Sequence, residues 1–368
     1  MKSPAAPLHV DDLLRAAVER DASDIHLKAN SPPLFRIYGD LFPTDLAPMS
    51  PDEVRRLSFS VLSRGERELF EQAWELDLGY HIDGLAHFRV NVFVQRGQVG
   101  SVFRVIPLRI RTIAELALPE VCTYFAERPR GLVLVTGPAG CGKSTTQAAM
   151  VDHINAHDPV HIVTVEDPIE FVHTPRLAVI TQRELARDTM SFANALKFVL
   201  RQDPDVILVG EMRDLETVQL AIRAAETGHL VIGTLHTTDA VQTVDRAIDI
   251  FPTHQQQQIR MQLSVNLLGV VSQILIRRAD GRGRVAAFET LVAISSVRNA
   301  IRERKTHQIA SVIQTGAQHM MMTLDQSIAH LVRSGMITYE EGLAKTKDRQ
   351  EFRQLLDKGA KAEEGTGA

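Results

Sequence analysis

The chain has 368 residues, which exceeds one ordinary domain and predicts two domains that each bury a core. Its formal net charge of -4 at pH 7 argues against nucleic acid or an anionic membrane surface as its main partner. Its two cysteines are too few for a disulfide framework or a four-cysteine zinc site and favour a reducing cytoplasm. The first residues contain no apolar segment of signal-peptide length, and the run "LLGVVSQILI" is interrupted by Ser272 and Gln273. We therefore expect a soluble protein whose membrane role, if any, is peripheral.

The first hundred residues predict a small α+β unit. Its expected elements are a helix at 10–20, short alternating segments at 34–41, a helix near 51–62, and strands at 86–95 and 100–107. The turn "QRGQ" between the last two strands is typical of a hairpin. Pro107 and the polar residues after it indicate a linker at 107–112, so we place the first domain at 1–106.

Residues 113–290 show a different pattern, in which apolar runs alternate with helical segments. The runs are "GLVLVTG" at 131–137, "VHIVTVED" at 160–167, "DVILVGE" at 205–211 and "HLVIGTLH" at 229–236. Continuous apolar strands are typical of a parallel sheet covered on both faces, so the predicted fold class is α/β. Residues 291–357 predict further helices, and 358–368 have no core-forming residues and predict a disordered tail.

The stretch "GPAGCGKST" fits the phosphate-binding pattern GxxxxGK[ST]. A buried strand leads into it and a helix follows it, which is the order that this motif requires. Backbone N–H groups and the helix dipole would hold the phosphates of ATP, while Lys143 reaches their oxygens and Ser144 coordinates Mg²⁺. The expected nucleotide-binding residues are Gly137, Pro138, Ala139, Gly140, Cys141, Gly142, Lys143, Ser144 and Thr145.

Three later segments place acids and histidines at strand ends. Glu211 ends a buried strand where a phosphate-loop protein places its carboxylate on the magnesium side. The acids of "EDPIE", Glu166, Asp167 and Glu170, follow another strand and need a metal, a basic group or a polarised water to compensate their charge. His236 ends its strand and is expected near the nucleotide. His229 begins that strand, which separates the two histidines too far for easy shared zinc ligation.

These motifs, in this order, resemble the secretion ATPase superfamily of RecA-like motors. Residues 200–252, the segment "VRNAIRERKTHQIASVIQTG" and the N-terminal "DASDIHLKANSPPLFRIYGDL" resemble the type IV pilus retraction ATPases more narrowly. The resemblance covers nearly the whole chain. It implies a PAS-like α+β N-terminal domain, a RecA-like P-loop ATPase core and a helical C-terminal region. It also implies a homohexamer that hydrolyses ATP to retract pili and drive twitching motility.

The resemblance also implies roles for individual residues. Glu170 would polarise the attacking water, Glu211 would be the Walker B acid, and His229 and His236 would form the histidine box. Arg89 and Arg104 lie on the strands that supply arginines to a nucleotide in this family. Departures occur at Ala139 and Cys141, where the family usually has Thr and Ser. Because the loop acts mainly through its backbone, we expect neither change to abolish binding.

Partners and location follow from the same resemblance. We expect an inner-membrane pilus platform protein and a paralogous retraction ATPase as partners, and no nucleic acid. The expected location is cytoplasmic, with peripheral association at the inner membrane at the pilus base.

Three alternatives stay open. A pilus extension or type II secretion ATPase commonly carries a four-cysteine zinc element, which two cysteines cannot supply. A nucleotide-gated accessory scaffold would bind ATP without turnover, which a phosphate-release assay would detect. A nucleic-acid motor would show salt-dependent stimulation by DNA, which the acidic charge balance disfavours.

Two hypotheses concern particular residues. The thiol of Cys141 lies near a helix N-terminus in an anion-binding loop, so a lowered pKa and high reactivity are expected. The segment "SSVRNAIRERKTHQI" has helical spacing, and we expect its Arg298 and Asn299 to face the pilus machinery.

Overall fold

The structure is a computed structural model that describes residues 8–107 and 109–364. The chain divides into two compact units. The first comprises Met1–Arg109 together with Pro168–Val172, and the second comprises Ile110–Asp167 together with His173–Ala368. The main division therefore lies between Arg109 and Ile110, within residues 107–112.

The first unit is a six-stranded antiparallel sheet with three helices, in the strand order β3-β2-β1-β6-β5-β4. Alternate residues of one long strand are buried, which gives the sheet one apolar face against the helices. This is the PAS-like α+β organisation. Its elements are α1 (Val10–Glu19), β1 (Asp24–Leu27), β2 (Leu34–Ile37), β3 (Asp40–Pro43), α2 (Pro51–Ser60), α3 (Arg64–Ala73), β4 (Glu75–Ile82), β5 (Ala86–Gln95) and β6 (Gln98–Pro107).

Helix α3 and strand β4 were not predicted from the sequence. Ser63 caps α3 by accepting a hydrogen bond from the backbone N–H of Glu66, and the Glu66 side chain caps Ser63 in return. Trp74 then takes the left-handed conformation with φ of 62°, and β4 begins at the next residue. The reciprocal Ser–Glu spacing was therefore a readable start signal for this helix.

The second unit is built on a seven-stranded sheet in the order β13-β12-β7-β11-β10-β8-β9. All of its strand pairs are parallel except β12 with β13. The three strands β7, β10 and β11 are buried along their whole length, as their apolar sequences require. The elements are α4 (Val121–Ala126), β7 (Gly131–Thr136), α5 (Lys143–His157), β8 (His161–Glu166), β9 (Val179–Glu184), α6 (Phe192–Val199), β10 (Val206–Val209), α7 (Leu215–Glu226), β11 (Leu230–Leu235), α8 (Ala240–Asp249), α9 (Thr253–Asn266), β12 (Leu267–Arg277) and β13 (Arg284–Val292).

The interrupted apolar run at 267–276 forms most of β12, which lies directly beside β7. The pairing with β7 shifts register between Leu267 and Gly269. A Cβ on Gly269 would lie 2.1 Å from the Leu291 carbonyl oxygen, so this close approach requires glycine.

The C-terminal part of the second unit is helical. Its α-helices are α10 (Ser295–Arg302), α11 (Ile309–Thr315), α12 (Leu324–Arg333), α13 (Tyr339–Lys345) and α14 (Arg349–Glu364). Helix α14 continues through 358–364, where we predicted a disordered tail, because Ala, Lys and Glu favour helix. The rest of that predicted tail, 365–368, lies outside the described residues. Within 8–107 and 109–364, no helix combines the length and the apolar composition that crossing a bilayer requires.

Arg298 was expected to face a partner, but its guanidinium caps the end of α9. It donates hydrogen bonds to the carbonyl oxygens of Ser264 at 2.8 Å and Leu267 at 3.2 Å, and also to that of Val265. A further bond reaches the Ala293 carbonyl at 2.7 Å. A cation at a helix C-terminus satisfies carbonyls that have no intrahelical donor. The side chain therefore holds α9 and α10 together.

We predict that Arg298→Ala lowers the free energy of unfolding by about 2 kcal/mol, because charged hydrogen bonds to several carbonyls are lost. The neighbouring exposed Asn299 is the matched control, and Asn299→Ala should change stability by less than about 0.5 kcal/mol. Urea denaturation of both variants measures the difference. Equal stability of the two variants would contradict the capping role.

Candidate functional site

The glycine-rich stretch forms a loop between β7 and α5, at the carboxyl end of a central strand. Gly137, Gly140 and Gly142 have φ angles of 140°, 71° and 91°, in a region that side chains other than glycine rarely adopt. Helix α5 begins at Lys143, and no side chain caps it. The N–H groups of its first turn are therefore available to an anion, as the phosphate-loop motif predicts.

The ammonium of Lys143 lies against the loop itself. Its Nζ donates hydrogen bonds to the carbonyl oxygens of Gly137 at 2.8 Å and Pro138 at 2.9 Å. The same Nζ lies 3.5 Å from Nδ1 of His236. The lysine is 9% exposed, so its ammonium is held beside the loop and largely out of solvent.

His236 connects this lysine to the acid that follows β10. Its Nε2 lies 2.7 Å from Oε1 of Glu211, and its Nδ1 faces Lys143. The geometry fits a neutral imidazole that donates from Nε2 to the carboxylate and accepts from the ammonium at Nδ1. Lysine, histidine and glutamate therefore form one hydrogen-bonded chain.

Parallel pairing explains why these three residues meet. Strand β11 pairs with β7, so that Leu235 lies opposite Thr136, and it pairs with β10, so that Gly233 lies opposite Val209. All three strands run in the same direction and end at one edge. The residues that follow them are therefore brought together, as is typical of ligand sites in open α/β sheets.

His229 lies at the other end of β11. Its backbone carbonyl accepts a hydrogen bond from the N–H of Gly131, the first residue of β7, and its Nδ1 lies 2.9 Å from the Ala224 carbonyl. A six-residue strand is about 20 Å long, so His229 does not share a site with His236 within one subunit. Its predicted role as a histidine-box residue stays a prediction.

The acidic segment after β8 is divided between the two units. Glu166 ends the strand, and its Oε1 accepts hydrogen bonds from Thr164 Oγ1 at 2.7 Å and Gln182 Nε2 at 3.2 Å. Glu170 is half-buried and lies in Pro168–Val172, which belongs to the first unit. Its predicted catalytic role stays a prediction.

Arg89 and Arg104 lie directly opposite each other on β5 and β6 of the first unit. Arg104 Nε donates to Oδ1 of Asp24 at 3.0 Å, and Arg36 Nε lies 3.8 Å from the other carboxylate oxygen. Asp24 is buried, whereas the Arg104 side chain is 65% exposed. These four residues lie in register across neighbouring strands, and two of the three arginines, Arg36 and Arg104, contact the acid.

Cys141 does not have the reactive environment that we expected. The residue is 3% exposed, and burial raises the pKa of its thiol above the usual value, although nearby Lys143 opposes this shift. The desolvation of the thiolate outweighs the positive charge and the N–H groups of the loop.

Two residues of the site were missed from the sequence. Arg213 donates from Nε to the Glu211 carboxylate, and this contact, with Asp167 nearby, raises the pKa of the arginine. Its position two residues after the strand-end acid was the available signal. Gln273 contacts the loop from β12, and its interruption of an apolar run was noted without a functional interpretation.

The loop, the buried lysine and the strand-end acid together define the nucleotide site of a P-loop ATPase domain. The model of the Type II/IV secretion system protein family matches residues 117–365. The chain is 47% identical over 345 residues to the type IV pilus retraction ATPase PilT of Pseudomonas aeruginosa, covering 94% of this chain and 100% of that protein. It is 49% identical over 328 residues to a twitching motility protein of Neisseria gonorrhoeae, covering 89% and 88%.

A solved structure of the pilus retraction motor PilT with bound ADP is similar throughout. The TM-score is 0.87 at 44% identity, covering 94% of this chain and 99% of that one. The chain therefore belongs to the Type II/IV secretion system protein family and, within it, to the type IV pilus retraction ATPases.

We predict that Gly137→Ala abolishes tight ADP binding. A Cβ at Gly137 would lie 2.3 Å from the Gln273 carbonyl oxygen and 2.7 Å from Cys141 Sγ, so the loop would have to move. Gly140→Ala is the control, because a Cβ at Gly140 would meet nothing within 4 Å and costs about 1 kcal/mol of backbone strain. Titration with a fluorescent ADP analogue compares them, and equal affinity would contradict the close-packing argument.

We also predict slow alkylation of Cys141 in the folded protein at pH 7.5, because a raised pKa leaves less thiolate at any given pH. Cys122 is also protected, since burial raises the pKa of its thiol to about 12. Mass spectrometry after iodoacetamide treatment should find both cysteines unmodified in buffer and modified in denaturant. Rapid labelling of Cys141 in buffer would restore the original hypothesis.

Proposed function

We propose that this chain is the ATP-hydrolysing subunit of a homohexameric motor that retracts type IV pili. The observation that carries the ATPase assignment is the chain of contacts from Lys143 through His236 to Glu211 at the phosphate loop. The retraction assignment is supported by the names of the two relatives, which match this chain along nearly its whole length.

Several groups of the loop would bind the phosphates together. N–H groups of the loop and of the first turn of α5 donate to the phosphate oxygens, and Lys143 neutralises their charge. His236 keeps the lysine and Glu211 in a fixed relation, so that both are positioned before the nucleotide arrives.

A magnesium ion fits the donors present. Ser144 lies in the first turn of α5 with a half-buried hydroxyl, and Glu211 supplies a carboxylate beside the loop. Among residues 8–107 and 109–364, no cluster of three or more His, Cys, Asp or Glu could hold a metal. Magnesium bound mainly by phosphates and waters needs no such cluster. When bound, it would stabilise charge on the phosphoryl group.

Catalysis requires a water-polarising base and further positive charge. We assign the base to Glu170 and the charge to Arg104, with Arg89 beside it on the next strand. Arg104 would act in trans, from the first unit of one subunit toward a neighbouring subunit's nucleotide. An arginine supplied across a movable interface would couple hydrolysis to motion of the units. We keep His229 as the second residue of the proposed histidine box.

Partners and location complete the proposal. A cytoplasmic hexamer would act at the inner membrane against a pilus platform protein, with a paralogous retraction ATPase as a further partner. An extension or type II secretion role is less favoured, because two relatives that match 94% and 89% of this chain are named a retraction ATPase and a twitching motility protein. A nucleotide-gated scaffold is likewise not favoured, because the first of these relatives is an ATPase.

The decisive experiment combines hydrolysis with pilus retraction. The purified protein should release phosphate from ATP, and its gene should restore twitching to a strain that lacks its own copy. Lys143→Ala should fail in both tests while the protein stays folded. Phosphate release without restored retraction would favour extension or secretion, and ATP binding without turnover would favour the scaffold.

We predict that Glu170→Gln keeps ADP affinity but lowers kcat by about a hundredfold or more, because a positioned base contributes that much to water attack. Glu166→Gln is the matched control in the same acidic segment and should keep most of the turnover. Steady-state phosphate release and ADP titration separate the two effects. Loss of turnover in Glu166→Gln alone would move the base assignment to that residue.

A further inference from the structure

Gln273 is a buried amide in the middle of β12, and both ends of its side chain are bonded within the nucleotide site. Its Nε2 donates to the backbone carbonyl of Cys141 at 2.7 Å, and its Oε1 accepts from Thr146 Oγ1 at 2.8 Å. The residue is 3% exposed. A buried amide in an apolar strand is costly unless both ends are satisfied, as they are here.

The phosphate loop packs closely against this residue. A Cβ on Gly137, at the start of the loop, would lie 2.3 Å from the backbone oxygen of Gln273. A Cβ on Gly142, at the end of the loop, would lie 3.2 Å from its Nε2. Gln273 therefore packs against both ends of the loop. Its backbone lies against Gly137, and its side chain lies against Gly142.

The bond to Cys141 fixes the orientation of one peptide group. In a planar trans peptide, the carbonyl of Cys141 and the N–H of Gly142 point in opposite directions. Because Gln273 holds the carbonyl toward the sheet, the Gly142 N–H points away from the sheet. Rotation of this peptide would replace a donor with a carbonyl oxygen, which repels phosphate.

The amide has partners at both ends. The Cys141 carbonyl can only accept, so Nε2 must face the loop, and the Thr146 hydroxyl then donates to Oε1. Since Thr146 lies on α5, the same glutamine connects the loop, the helix and the sheet.

We propose that Gln273 is a positioning residue for nucleotide phosphate, acting through the Cys141–Gly142 peptide and bonded to α5 through Thr146. This inference rests on the proposed function and adds a determinant of nucleotide affinity. The residue does not reach the phosphate itself. Its loss should therefore weaken binding more than it slows the hydrolysis of bound ATP.

Gln273→Glu tests the proposal, because glutamate has nearly the same shape and can accept from Thr146 but cannot donate to Cys141 as a carboxylate. At pH 8 we expect the Kd for ADP and the KM for ATP to rise about tenfold or more, with kcat changed by less than about threefold. Ser272→Ala is the control, since it removes a buried bond of 2.6 Å to Thr136 Oγ1 from the neighbouring position. It should lower thermal stability and leave the Kd within about twofold.

A second pair of variants guards against failure of Gln273→Glu to fold. Thr146→Val removes the hydroxyl that bonds to Oε1 of Gln273 without changing the side-chain shape and should weaken ADP binding several-fold, whereas Thr146→Ser should restore it. Failure of the unsubstituted protein to bind ADP would contradict the proposed function and the inference with it. If the unsubstituted protein binds ADP and both Gln273→Glu and Thr146→Val bind it with the same Kd, the inference is wrong while the proposed function stands.

Discussion

Parallel pairing of β7, β11 and β10 is the constraint on which the candidate site depends. Each strand is short and buried throughout, so a register change would expose apolar side chains or bury polar ones. With the register fixed, the loop after β7 and the residues that follow the other two strands lie at one edge. The site therefore results from the same apolar burial that stabilises the sheet. Strand β12 lies on the other side of β7 from β11 and supports the loop there.

Much of this site could be predicted because its signals are local. The GxxxxGK[ST] spacing requires only the strand before it and the helix after it, and both were readable. Glu211 and His236 end apolar runs, which places them at the carboxyl edge once the sheet is known to be parallel. His229 has the same residue type and lies close in sequence, but it precedes its strand, and residue identity alone does not distinguish the two ends.

The residues that were missed act through contacts distant in sequence. Gln273 is more than a hundred residues from Cys141 and Thr146, and nothing in an apolar run shows that its amide faces a loop. Arg298 has the spacing of a surface position on α10, yet the end of α9 takes up its guanidinium. Asp24, the acid that binds Arg104, lies on β1, which pairs with β6 but is distant from it in sequence. Such tertiary hydrogen bonds override what helical or strand periodicity indicates.

The central claim is that His236 joins Lys143 and Glu211 into one functional unit. A double-mutant cycle with His236→Ala and Glu211→Gln, read as kcat/KM for ATP hydrolysis, tests this claim most directly. If the residues act together, the double variant should lose little more activity than the more damaging single variant. If the two losses multiply in full, the residues act independently, and the hydrogen-bonded chain has no catalytic meaning.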